Sequence, residues 1–128
     1  MAILYIGIAG VLGAWTRYAC TLLWNPASPE KFPWGTLFCN FSGCLLISFI
    51  AYSTFKQISA QMRLTITTGF IGAFTTFSSL SFETFAMLDA GHVWLAVIYI
   101  MGSLWGGLFF AWLGNRIALA LSSRRAHL

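Results

Sequence analysis

Polar residues inside apolar runs are the places where this sequence could do chemistry. Arg17, Asn40 and Glu83 each stand in an apolar stretch, and a hydroxyl-rich run, Thr75-Thr76-Phe77-Ser78-Ser79-Leu80-Ser81-Phe82-Glu83, follows the step Gly69-Phe70-Ile71-Gly72. In lipid, each such residue costs free energy unless it is paired, hydrated or functional. An asparagine NH₂ donates to an anion or to a neighbouring helix, a hydroxyl does either, and a phenylalanine ring presents an electropositive edge. The sequence holds no paired carboxylates and no Cys/His or Ser/His constellation, and His92 and His127 fall at a turn and in the tail, so an enzyme is excluded. What remains is passage of a solute or ion across a membrane, or a packing role for these residues in an accessory membrane subunit.

Composition sets the solvent in which those residues work. Of 128 residues 59% are hydrophobic and 8% charged, and ten charged side chains cannot cover the surface of a soluble domain this size. A hydrocarbon core of about 30 Å takes roughly 20 residues per helix, which leaves room for four crossings in one domain spanning 1–128 and for no soluble catalytic module. The fold class expected is an all-α integral membrane protein. Its helices run over about 2–24, 33–55, 62–88 and 93–121, and breaks at Asn25 to Lys31, Lys56 to Gln61 and Asp89 to His92 separate them.

Four crossings put Lys56, Arg63, Arg116, Arg124 and Arg125 on one face against Arg17 and Lys31 on the other, which leans toward both termini in the cytoplasm. The net charge of +4 matches lipid head groups better than nucleic acid, since Arg124-Arg125 is the one adjacent basic pair. The N-terminal stretch lacks a basic region and a cleavage pattern, so no removable signal peptide is expected. Cys20, Cys39 and Cys44 lie in apolar segments and read as small buried hydrophobes. Rows of small residues at Gly7, Gly10 and Gly13 and at Gly102 and Gly106 suit close helix packing. A bundle this thin builds a pathway more readily from two copies, so a homodimer is expected.

Each polar residue has two readings at this stage. Arg17 either snorkels to head groups or forms an electropositive vestibule, and Glu83 is expected to pair structurally with an Arg or a backbone N–H. Asn40 lies deep in the second helix and either bonds another helix or donates to an anion. The third segment, with its glycines and β-branched hydroxyl residues, is expected to break near the midplane and expose carbonyls and half-helix ends of the kind that bind ions.

The Thr-Thr-Phe-Ser-x-x-Ser-x-Glu run behind Gly-x-x-Gly, together with Gly35-Thr36-Leu37-Phe38-Cys39-Asn40 and Gly13-Ala14-Trp15-Thr16-Arg17-Tyr18, resembles the Fluc (CrcB-like) fluoride channels over essentially the whole chain. The resemblance implies an antiparallel dual-topology homodimer in the cell (inner) membrane, with two pores that passively export fluoride. It implies a structural Na⁺ at the dimer centre, held by the Gly72 and Thr75 carbonyls of both subunits. Asn40 falls on the family's pore asparagine and Phe77 on the first of its two pore phenylalanines, while Leu80 replaces the second. Tyr99 and Ser103 match the start of a polar track that Gly107 and Ala111 do not continue, and Ser78, Ser79 and Ser81 add hydroxyls beside Phe77.

Two alternatives stand beside this one. A small multidrug-type exporter would need a carboxylate deep in the first helix, which contains no Asp or Glu. A non-conducting accessory membrane subunit would use Asn40 and the broken helix for packing alone.

Overall fold

The computed structural model describes residues 2–52 and 58–126, and all its regular structure is helical. α1 spans Ala2–Trp24 and α2 spans Trp34–Tyr52. The expected end of the second helix at Phe55, and Lys56 after it, lie outside the described residues. The third crossing is built in pieces. α3 (Ala60–Leu64) passes into a π-helical stretch (Thr65–Ile71), then into α4 (Gly72–Phe74), and after an extended step into α5 (Phe77–Asp89). α6 runs Val93–Ala126, past the expected end at Leu121. By length and apolarity α1, α2 and α6 can each cross a membrane.

Local chemistry sets the boundaries. Ser59 caps α3 by accepting from the Met62 N–H at 3.1 Å, which supplies one of the acceptors a helix start lacks. α5 closes on a Schellman turn: the His92 N–H reaches the Met87 carbonyl at 2.8 Å and the Gly91 N–H reaches Leu88 at 3.0 Å. Gly91 sits at φ 81°, in the region where a β-carbon is strained. Pro33 stands one residue ahead of α2 and its carbonyl accepts from the Leu37 N–H at 3.3 Å.

The break itself falls at Thr75 and Thr76, after the glycines. Thr75 (φ −77°, ψ 152°) and Thr76 (φ −148°, ψ 125°) are extended, whereas Gly69 and Gly72 keep helical backbone. Gly69 instead serves close approach, because a β-carbon there would lie 2.7 Å from the Ile6 carbonyl oxygen of α1. Opposite it, a β-carbon on Gly13 would lie 2.2 Å from the Phe70 carbonyl oxygen. Lipid tails give helices no hydrophobic reason to associate, so this approach carries the α1 contact through dispersion. Gly13→Ala is expected to force the two backbones apart, at about 1–3 kcal/mol, read as a lower melting temperature in detergent; an unchanged melt would show that the contact is not tight.

α2 has two working faces. Phe41 lies against Gly106 and Leu45 against Gly114, so α2 and α6 run side by side in the same direction. The opposite stripe, Thr36, Asn40, Gly43 and Ile47, has helical one-face spacing and looks toward the broken third crossing. The buried cluster of Leu37, Met87, Ala96 and Tyr99, with Phe32 and Leu80 against it, closes the end of the bundle beside the α1–α2 loop.

Candidate functional site

The site grows from one asparagine on that stripe. Asn40 Oδ1 accepts from the Thr76 N–H at 2.8 Å, and Asn40 Nδ2 donates to the Thr76 carbonyl at 3.0 Å. A side-chain amide here does for an extended residue what a neighbouring strand would do. It satisfies both of its backbone groups at membrane depth, where an orphan is costly. The interhelical reading of Asn40 is therefore realised, and the NH₂ keeps a second hydrogen beyond the one given to Thr76.

This clamp decides which carbonyls are free. The Thr76 N–H that would close a helical bond on Gly72 goes to Asn40. The Ser79 N–H that would reach Thr75 goes to the Thr76 hydroxyl at 3.1 Å, which caps α5. The Gly72 and Thr75 carbonyls thus lose their helical donors. Between them, Ala73 presents its carbonyl to Arg17, whose Nε donates at 3.1 Å. Arg17 places a cation at the C-terminal end of α4, where the helix dipole favours one. It is half-buried, held by the break rather than extended to head groups.

A groove of about 500 Å³ opens beside the break, lined by Asn40, Gly43, Cys44, Ile47, Ile71, Gly72, Thr75, Thr76, Phe77 and Leu80. The Thr75 methyl occupies the space a β-carbon would take on Gly43, so α2 fits against the break at that point. Phe77 is 79% exposed at the first turn of α5, whereas Leu80 faces the groove and packs on the buried cluster. Of the residues expected to work together, Asn40, Gly72, Thr75, Phe77 and Leu80 share this groove.

The three serines stand apart from it. Ser78 and Ser79 exchange hydrogen bonds with the Thr76 hydroxyl at 3.2 and 3.1 Å, and the Ser81 hydroxyl donates back to the Phe77 carbonyl at 3.0 Å. The Thr76 and Ser79 hydroxyls thus secure the start of α5, and Ser81 spends its proton on its own helix.

Glu83 anchors a separate, half-buried network. Its Oε1 accepts from Asn25 Nδ2 and from the Thr36 hydroxyl, both at 2.7 Å, and its Oε2 accepts from the Tyr99 hydroxyl. Asn25 Oδ1 accepts in turn from the N–H groups of Gly35 and Thr36 at 2.8 and 3.2 Å, so the residue after α1 caps α2. The carboxylate is paired as expected, but with side-chain donors rather than an arginine or a backbone N–H. Tyr99 is fully buried here and away from the groove. One turn on, the Ser103 hydroxyl is buried and has no hydrogen-bond partner among the described residues, an exceptional condition for a buried polar group.

Thr76, Asn25 and Thr36 escape a reading of isolated polar residues. Thr76 works through its hydroxyl, which caps α5, and through its backbone, whose bonds to Asn40 no residue type announces. Thr36 carried a signal, lying one helical turn before Asn40 on the same face.

Residues 4–115 match the profile of the CrcB-like protein, Camphor Resistance (CrcB), family. The chain is 43% identical over 119 residues to the "Fluoride-specific ion channel FluC" of a Thermus thermophilus strain, covering 92% of this chain and 95% of the relative. It is 44% identical over 129 residues to "Fluoride-specific ion channel FluC 2" of Listeria innocua, covering 99% and 98%, and 39% identical over 120 residues to a protein of the same name in Geobacillus kaustophilus, covering 92% and 93%. With a profile match across nearly all of its length and relatives that align end to end, this multi-pass membrane protein belongs to the CrcB-like family.

Proposed function

We propose that the protein is a fluoride-selective channel, and not an enzyme, that lets fluoride leave the cell passively. The observation that carries this reading is the groove. In a chain whose relatives are named fluoride-specific ion channels, it joins the Asn40 amide, the exposed Phe77 ring and the start of α5. Fluoride is small and strongly hydrated, so a path for it must replace water with several donors and yet release the ion. The second Asn40 hydrogen, the first N–H groups of α5 and the Phe77 ring edge are neutral donors of that kind. Arg17, whose Nε is held by the Ala73 carbonyl, gives positive potential near the path. A negative-inside potential drives the anion out by ~2.3 kcal/mol per charge per 100 mV.

The assembly we propose is an antiparallel dual-topology homodimer in the cell (inner) membrane, with two pores. The Gly72 and Thr75 carbonyls fit a structural Na⁺, because both lack their helical donors and both line the groove. Two subunits would contribute four such oxygens, the hard donors a small cation takes in place of water. A bound Na⁺ would supply charge that holds the two broken crossings together, and this chain's part is to keep those carbonyls turned out through the Asn40 clamp and the Thr76 cap.

Reconstituted into liposomes loaded with potassium fluoride, the protein is expected to release fluoride rapidly on addition of a potassium ionophore and to retain chloride under the same conditions. Equal loss of both ions would remove the selectivity. No loss from folded, dimeric protein would favour an accessory subunit whose groove serves packing.

A further inference from the structure

The α1–α2 contact holds two thiols that the groove does not use. α1 at Cys20 touches α2 at Gly35, where a β-carbon would fall 2.6 Å from the Cys20 carbonyl oxygen. Cys39 stands one helical turn beyond Gly35 and is fully buried, while Cys20 is half-buried, and both are free thiols. Helical side chains lean toward their own N-terminus. In two consecutive, oppositely running helices that brings the Cys20 and Cys39 side chains toward each other. Cys20 and Cys39 thus face one another across the close α1–α2 approach, with Arg17 one turn before Cys20 on α1.

We propose that Cys20 and Cys39 form a redox-sensitive pair, which a bilayer-soluble two-electron oxidant closes into an α1–α2 disulfide that slows ion passage. Two S–H bonds break and one S–S bond forms, and two electrons and two protons pass to the oxidant. An azodicarboxamide, reduced to its hydrazine, is one such oxidant, and a dithiol reverses the step. An S–S bond of about 2.05 Å is much shorter than a contact between two thiols, so closure draws the helices together. That movement reaches the break from both sides. Arg17, which holds the Ala73 carbonyl, is one turn before Cys20, and Asn40, which holds Thr76, is next to Cys39.

The effect on flux rests on the channel function proposed above, whereas the bond does not, so the test reads both. Protein in liposomes is treated with the azodicarboxamide, denatured without reductant and alkylated. Expected are a mass lower by two hydrogens before alkylation, one alkylated cysteine after it where the untreated chain has three, and a Cys20–Cys39 linked peptide. Fluoride efflux should fall about tenfold, ~1.4 kcal/mol on the permeation barrier, and recover with dithiothreitol. Cys20→Ser should abolish both the mass change and the oxidant sensitivity. Three alkylated thiols after oxidant, or a bond to Cys44, would overturn the pair. The linked peptide with unchanged efflux would overturn the control of flux, provided the untreated protein conducts.

Discussion

Asn40→Ala is expected to lower fluoride efflux at least about 100-fold, ~2.7 kcal/mol on the permeation barrier. The substitution removes more than a donor from the groove. It leaves the Thr76 N–H and carbonyl without partners at membrane depth, each a cost of about 1–3 kcal/mol. The backbone would answer by repairing itself: the Thr76 N–H can return to the Gly72 carbonyl and extend α4 through the break. Asn40→Asp separates the two contributions. A carboxylate still accepts from the Thr76 N–H but cannot donate to its carbonyl, and it sets a negative charge on the path of an anion. It is expected to be as inactive as alanine. Arg124→Gln and Arg125→Gln, at the far end of α6, should leave efflux close to that of the parent. Equal activity across this set, in liposomes with matched protein content, would remove Asn40 from the pathway.

The second large effect concerns folding rather than passage. Glu83→Leu is expected to cost about 1–3 kcal/mol for each donor left unpaired, because Asn25, Thr36 and Tyr99 would lose their shared acceptor. Against a total stability of about 5–15 kcal/mol, that change should leave little monodisperse protein after extraction. Glu83→Gln tests the cause. Its amide oxygen can still accept from Asn25 and Thr36, and its NH₂ can donate to a Tyr99 hydroxyl that turns to accept. A loss of about 1 kcal/mol, read as a small drop in melting temperature, is expected. A leucine variant as stable as the parent would show that the network contributes nothing to the fold.

These two residues mark how far the sequence could be read. Asn40 and Glu83 stand out because an amide or a carboxyl in an apolar helix needs a partner, and that need is visible in residue type alone. The partner is not. Glu83 meets an asparagine beyond the end of α1 and a tyrosine on α6, a convergence that only the packed bundle creates. The broken third crossing was legible from its glycines and hydroxyls, and the location of the break within it was not. Two glycines weaken a helix by propensity, but both stay helical here, Gly69 in close approach to α1. The chain opens instead at two threonines, because Asn40 reaches Thr76 from another element. Tyr99 and Ser103 show the same limit. Their spacing puts both on one face of α6, yet the hydroxyl of Tyr99 is committed to Glu83 and that of Ser103 has no partner among the described residues.

α6 also carries a measure of how deep the molecule sits. Trp94 and Trp112 are both exposed, at 80% and 53%, and their offset in the helix sets the rings about 27 Å apart along the axis. Tryptophan gathers where hydrocarbon meets head group, and a core of about 30 Å would set these two rings at its edges, with the exposed Trp105 ring between them against lipid. Arg116 lies over the Trp112 ring at 5.4 Å and pins that edge with a charge. In a thicker membrane the helix cannot slide inward without drowning the guanidinium, so the lipid must thin around it.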